Sequence, residues 1–343
     1  MTQYVGLDVG LEWTSICVID QDGAVVWRGR SPTEVESIAA AVRARAPAAA
    51  VVGLETGPLA TWLWHGLRQQ GLPVVCLDAR DAKAVLARRL NKTDANDAFG
   101  LAQLVRSGWY RAVAVKSLAA HRLQSLLRTR AHLIAMRRDL ANHLRGTLKI
   151  FGLKLGRGRG QALARRVREL VAGDPTLVPL AESLLAVWDA TGQQIAELDR
   201  RVLALARRSA ACRRLMTVPG VGAITALAFA AVIDQPQRFA RSASVGAYLG
   251  LTPKRHQSGE VDYAGHISRW GDGALRGYLY EAAVALLSRH RGGSALKTWA
   301  QGLIKRIGYK KACVALARKL AVIMHAMWRA GTDFQPERAT LAR

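Results

Sequence analysis

Acidic side chains are scarce through most of this 343-residue chain. After residue 79, 45 Lys or Arg face 17 Asp or Glu, whereas the first 79 residues hold 5 against 8. The formal charge of +25 therefore lies downstream, and such a surplus on a chain that is half apolar points to a polyanionic partner, nucleic acid ahead of an anionic membrane surface. No apolar run approaches the roughly 18 residues that a membrane span needs. The first residues enter a strand pattern without the features of a signal peptide, so a cytoplasmic protein is expected. Cysteine is sparse as well: Cys17, Cys76, Cys212 and Cys313 are too scattered for a paired zinc spacing or a disulfide framework and are expected to be buried thiols. Arg outnumbers Lys 39 to 11, and the Arg fork suits phosphate, although GC-rich coding also favours Arg.

YVGLDVG, TSICVID and AVVWRGR follow one another with turn residues between them and predict a three-stranded meander. AAVVGLE predicts a fourth strand, residues 59–70 a helix, and LPVVCLD a fifth strand, which together make an α/β layer with a partly parallel sheet. One long helix is expected over 116–151, with Leu126, Leu133, Met136 and Leu140 in heptad-like spacing. Another is expected over 176–208, through Leu184, Val187, Ile195, Leu198, Val202 and Leu205. The stretch GLKLGRGRG between them suggests an antiparallel helical hairpin or an oligomerising coiled coil. Arg111 to Gly160 carries 12 basic residues and one acid, Asp139, which favours a face lying along phosphates over a merely solvated one. From Leu215 onward the pattern is mostly helical. There LMTVPGVGAITALAFAAVI reads as a helix-hairpin-helix, in which Gly220 and Gly222 allow close backbone approach to a phosphate, or else as a tight corner in a core.

Four carboxylates carry the chemistry. Asp8 and Glu55 each sit on a short apolar run, where a lone acid is costly unless something pairs with it. Asp94 and Asp97, three apart in KTDANDA, share one face if that segment is helical. Such a quartet suits two-metal nucleic-acid chemistry, which needs several shared carboxylate oxygens. Taken singly, Asp8 could cap a turn, Glu55 could pair with an Arg, and Asp94 could be a first-turn helix acid favoured by the dipole. GLDVG also opens the phosphate-binding half of actin-like kinases and ATPases, but those need a second α/β phosphate loop where this chain turns helical and basic. A second candidate site lies in LGLTPKRHQSGEVDYAGHISRWGDGALRGYL, where Ser258 stands in a polar loop with Lys254, Arg255 and His256. A hydroxyl there could reach a phosphodiester, with Arg269 and Arg276 as further phosphate-binding candidates. A turn serine without catalytic duty is the plainer alternative.

The motifs GLDVG, GLETGP and NKTDANDA, followed by VPGVG, RFARSASVGAYLGLTPKRHQSG and GHISRWGDGALRGYL, resemble the DEDD-type insertion-sequence transposases of the one-ten family, described as bridge-RNA-guided recombinases. The likeness runs over nearly the whole chain. It implies a RuvC-like domain of RNase H fold over 1–112, with Asp8, Glu55, Asp94 and Asp97 binding Mg2+. A basic helical, coiled-coil region over 113–208 would mediate assembly, and a mostly α-helical transposase domain over 209–343 would hold Ser258 as the nucleophile of a covalent phosphoserine. The implied partners are double-stranded donor and target DNA, a noncoding guide RNA and further copies of the chain, in a tetramer that pairs the two catalytic halves across subunits. Alternatives are a metal-dependent junction nuclease without serine chemistry and a non-catalytic architectural nucleic-acid-binding protein.

Overall fold

The three apolar runs that open the chain form β1 (Gln3–Val9), β2 (Trp13–Asp20) and β3 (Val25–Pro32), an antiparallel meander in a computed structural model that describes residues 1–86, 93–158, 160–290 and 292–336. Asn91 and Lys92 of NKTDANDA and Arg159 of GLKLGRGRG lie outside the described residues. The QDG turn closes as its residues require: Asp20 accepts the amides of Asp22 and Ala24, and Gly23 takes φ 87°.

Helix α1 (Val35–Arg45) then leads to β4 (Ala49–Glu55), and α2 (Ala60–Gln69) to β5 (Val74–Leu77); β4 runs parallel to β1, and β5 parallel to β4. The resulting sheet has the order β3-β2-β1-β4-β5. Helices α3 (Ala79–Leu86) and α4 (Asp94–Ser107) come next, and the chain returns along β5 through a bridge between Ala112 and Leu77. This first compact unit ends at Leu118.

Period-two alternation sends the two sides of each strand to different partners. Val5, Leu7, Ile16, Val18, Val52 and Leu54 pack with α1 and α2 through Ile38, Val42, Leu63 and Leu67. On the other face, Cys17 and Ile19 meet Ala98 and Ala102 of α4, and Leu77 meets Leu101 and Val105. Helix α4 lies unusually close to the sheet because two strand positions lack side chains. A Cβ on Gly6 would overlap the Ala98 carbonyl and the Ala102 amide, and one on Gly53 would overlap the Val105 side chain.

The second unit begins at Ala119. It comprises α5 (Leu118–Ile150), α6 (Gln161–Val171), α7 (Leu177–Arg208), α8 (Ala210–Leu215), α9 (Ala223–Ile233) and α10 (Ala243–Tyr248), then a hairpin of β6 (Pro253–Ser258) and β7 (Val261–Ile267). It closes with α11 (Gly273–Ser288), α12 (Ala295–Ile307) and α13 (Tyr309–Ala330). Helices α5 and α7 run antiparallel: Arg130 pairs with Asp199, and the Arg137 guanidinium lies 3.7 Å from the Trp188 ring centroid. Short α6, which the Gly- and Arg-rich sequence did not suggest, fills one end of this hairpin with Leu163, Ala164 and Val167.

The buried stripe differs from the expected heptad. In α5 the buried positions are Ala120, Gln124 and Leu127, then Ala141, Leu144 and Leu148, while Met136 is exposed; in α7 Val202 is buried as expected, but Leu185 and Trp188 are buried and Val187 is exposed. A separate core surrounds α9, apolar but for Thr225, which is covered by α7, α8 and α11.

Gly6→Ala should force α4 away from β1 and lower stability by about 1–3 kcal/mol, the usual cost of overpacking, as read by urea denaturation. Gly57→Ala, in open space, should leave the midpoint nearly unchanged.

Candidate functional site

The register of the sheet aligns a row of polar side chains. Asp8 pairs with Ser15, Ser15 pairs with Arg30, and Leu7 pairs with Leu54, so Asp8 and Glu55 stand one step further along adjacent parallel strands. Both share the parity of the glycines that receive α4, Gly6 and Gly53, so both acids lie on the α4 face. Asp8 and Glu55 are half-buried, as the ends of strands otherwise enclosed by apolar packing.

Helix α4 brings the other two. Thr93 caps it by accepting the Asn96 amide, so the helix starts at Asp94. Asp94 lies one turn before buried Ala98, and Asp97 one turn before buried Leu101, which puts both at the start of the sheet-facing stripe. The exposed Asp94 carboxylate accepts a hydrogen bond from the Arg30 guanidinium at 3.2 Å. All four acids are oxygen donors, the class that Mg2+ prefers. Among the described residues no three His, Cys, Asp or Glu are gathered closely enough to hold a metal ion. Asp94 faces an arginine on edge strand β3.

Sequence reasoning passed over Arg30, which continues the row onto β3, and Arg28 two residues before it on the same face. Arg28 stacks over Phe99 of α4 at 5.1 Å and Arg30 holds Asp94. Their alternate spacing within WRGRS was the available signal. Asp78, between β5 and α3, also escaped notice. It accepts the Arg80 amide and Nε at 3.0 Å each and the Arg80 terminal nitrogen at 2.6 Å, and that guanidinium holds its carboxyl below the usual value.

Ser258 proves to be the last residue of a strand rather than part of an irregular loop. It pairs with Val261 across the two-residue turn Gly259-Glu260, where Gly259 takes φ 56°, a positive first central residue as type II′ connections require. Every β6 residue is exposed, Ser258 included. Arg255 forms a two-pronged bond with Asp262 at 2.8 and 2.6 Å, and His256 stacks on Tyr263 at 5.3 Å. Arg255 thus ties the hairpin together, while Lys254 projects from the same exposed strand.

At the base of the hairpin the chain folds tightly on itself. Gly250 has φ 65° and a Cβ there would overlap the Trp270 backbone; Gly271, at φ 71°, lies as close to the Tyr248 carbonyl. Arg276 clasps this corner by donating to the Leu249 carbonyl at 3.2 Å and to the Trp270 carbonyl, so its guanidinium is committed to backbone. Arg269 is held at φ 59°, a conformation uncommon for a residue with a side chain. In the helix-hairpin-helix segment, Gly220 is a packing glycine, since a Cβ would overlap the Ala282 carbonyl of α11. Gly222, at the N-terminus of α9, has open space beside it.

Comparison with known proteins agrees along the chain. A family model described as Transposase IS116/IS110/IS902 family matches residues 212–300, and a model of the DEDD type of IS110 transposase matches residues 5–152. The transposase for insertion sequence element IS1111A of Coxiella burnetii is 29% identical over 329 residues, covering 94% of this chain and 88% of the relative. A probable family 20 transposase of Pseudomonas aeruginosa is 34% identical over 253 residues, 72% of this chain and 75% of its own. The transposase for element IS1328 of Yersinia enterocolitica is 27% identical over 288 residues, 83% and 85% of the two chains.

The side-chain chemistry sets two expectations. Burial, with Glu55 and Asp78 adding to it, pushes the Cys76 thiol up to about 11, and burial also raises Cys212 and Cys313. With Cys17 buried too, all four cysteines should resist iodoacetamide at pH 8 until denaturant is added, as counted by mass spectrometry. Because the folded pKa of Asp78 is lowered, its contribution is full above the unfolded value of about 3.9 and lost as pH falls through the folded one. Asp78→Ala should therefore cost about 1 kcal/mol at pH 7, with the deficit shrinking in urea melts taken through the acid range.

Proposed function

The chain belongs to the IS116/IS110/IS902 family of insertion-sequence transposases, and on that premise we propose that it is an RNA-guided, site-specific DNA recombinase working through a phosphoserine on Ser258. Asp8, Glu55, Asp94 and Asp97 would hold Mg2+, which when bound neutralises phosphate charge and eases ionisation of a hydroxyl. The observation that carries the reading is the placement of Asp8 and Glu55 on neighbouring parallel strands, on the face where α4 begins with Asp94 and Asp97. The order β3-β2-β1-β4-β5, antiparallel across the first three strands and parallel thereafter, supports an RNase H type of fold for the first unit.

The role of each residue derives from its chemistry. The Ser258 oxygen attacks a DNA phosphorus, forming a phosphoserine ester as one phosphorus–oxygen bond to deoxyribose breaks and the departing hydroxyl takes up a proton. Attack on that ester by a hydroxyl of another strand restores serine and seals the new joint, so no ATP is needed. Lys254 supplies an exposed cation on the strand that ends at Ser258, and Arg269 a further one at the hairpin base. The net charge of +25 suits both double-stranded DNA and a folded RNA. Exposed Ile134 and Met136 on α5 and Leu180 and Val187 on α7 offer apolar surface for assembly into a tetramer.

A metal-dependent nuclease is the second reading, favoured by the exposure of Ser258 beside a turn. The two differ in whether denatured protein remains joined to labelled DNA. Ser258→Ala should abolish both strand cleavage and the adduct while leaving DNA binding intact; an adduct that persists in this variant reassigns the nucleophile. Asp8→Asn or Asp97→Asn should stop cleavage in saturating Mg2+, and an unchanged rate would make the quartet structural. A discrete small RNA copurifying with the protein is the expected sign of guidance.

A further inference from the structure

Beneath the β6–β7 hairpin, a cavity of about 770 Å³ opens against α12 and α13, within the size range of small-ligand sites. Its wall combines one large aromatic face with several cations: Trp299 of α12, Lys311, Arg318 and Lys319 of α13, and His266 and Arg269 from the end of β7 and the corner after it. No acid is among the described residues that line it. The rest of the lining is aliphatic, from Leu251, Val314 and Val322. This is the composition of a site for a flat ring that carries negative charge.

We propose that this cavity takes one unstacked nucleotide of a bound nucleic acid strand, its base against Trp299 and its phosphate against Lys311 and Arg318. The inference rests on the reading of the chain as a nucleic-acid enzyme and extends it to a site away from Ser258. Stacking on an aromatic side chain is how proteins hold splayed bases without reading their sequence, and the basic rim would track the backbone on either side.

Three features support the assignment. The Lys319 ammonium lies 5.8 Å from the Trp299 ring centroid, and burial holds its pKa below the ordinary lysine value, so a charge kept there gains from an anion nearby. Arg269 reaches the cavity from a left-handed backbone conformation, the kind of strain that persists where the surroundings enforce it and that gathers at functional sites. The corner enforces it through Gly250, Gly271 and the Arg276 clasp. The position suits a strand acted on at the hairpin tip: Pro253 lines the cavity and Ser258 ends the same strand, about 17 Å away at the rise of an extended chain. A few nucleotides span that interval.

The test compares full-length protein bound to fluorescein-labelled oligo(dT), to oligo(U) and to an abasic DNA oligomer of equal length, by anisotropy at fixed salt. Trp299→Ala should weaken binding of at least one base-bearing strand by roughly tenfold, within the range of a lost stacking contact, and leave abasic binding unchanged. The strand that loses more identifies the source of the nucleotide, DNA or RNA. Trp299→Phe, which keeps a ring to pack and stack, should retain most of the preference, and its melting curve guards against misfolding. Lys311→Ala with Arg318→Ala should weaken all three strands and flatten the salt dependence.

Equal losses on base-bearing and abasic strands, or no loss for Trp299→Ala, would overturn the assignment, as would unchanged binding in the double lysine–arginine variant. Ser258→Ala should preserve the base preference. An adduct surviving in Ser258→Ala would sink the serine mechanism while leaving the nucleotide site standing, so the two failures read differently.

Discussion

The approach of α4 to the central strands governs the first unit. Gly6 and Gly53 have no side chain on the face where α4 lies; the fully buried Ala98 and Ala102 come against Gly6, and the Val105 side chain fills the space at Gly53. Two positions further along each strand, the same parity brings Asp8 and Glu55 onto that face, so each motif couples a residue that admits the helix to a residue that offers a carboxylate. The glycine and acid in GLDVG therefore act as one structural statement. A larger residue at either glycine would raise the helix and with it the first turn that carries Asp94 and Asp97.

The second unit relies on backbone rather than on a ligand set for its precision. Gly250 and Gly271 allow two segments to touch, Arg276 fastens their carbonyls, and Arg269 is held in a conformation that it would not choose freely. The hairpin that leaves this corner has no buried face on β6, so the Arg255–Asp262 pair and the His256–Tyr263 stack hold it where apolar burial cannot. An arginine expected to meet phosphate is thus used within the fold at positions 255 and 276, whereas Lys254 faces outward and Arg269, Lys311, Arg318 and Lys319 line the cavity.

Several elements are legible in the sequence for a simple reason. Strands β1 to β5 alternate or run apolar between turn residues, and the long helices carry apolar residues at helical spacing, so both announce themselves. Helix α1 does not, because its alanine-rich VESIAAAVRAR has a weak pattern between two strands. Helix α6, QALARRVRELV, is a short element that starts directly after GLKLGRGRG, whose glycines and arginines read as a linker. The β6–β7 hairpin gives no buried–exposed alternation to detect, and Ser258 is accordingly expected in a loop. The buried stripe of α5 is displaced from the anticipated heptad: Leu127 joins the core around α9, while Ala141, Leu144 and Leu148 join the core shared with α6 and α7.

Local chemistry written into the residues was enough to determine the α/β character of the first unit, the helical and basic character of the second, the candidate acids and the family. Those properties depend on side-chain type and on spacing along the chain. Which arginine faces Asp94, that Gly220 packs while Gly222 stays open, that Arg276 is spent on carbonyls, and that Trp299 shares a cavity with Lys311 and Arg318 were decided by tertiary structure. Each depends on the meeting of residues distant in sequence, and such meetings are set by the packing of whole elements, where no local pattern records them.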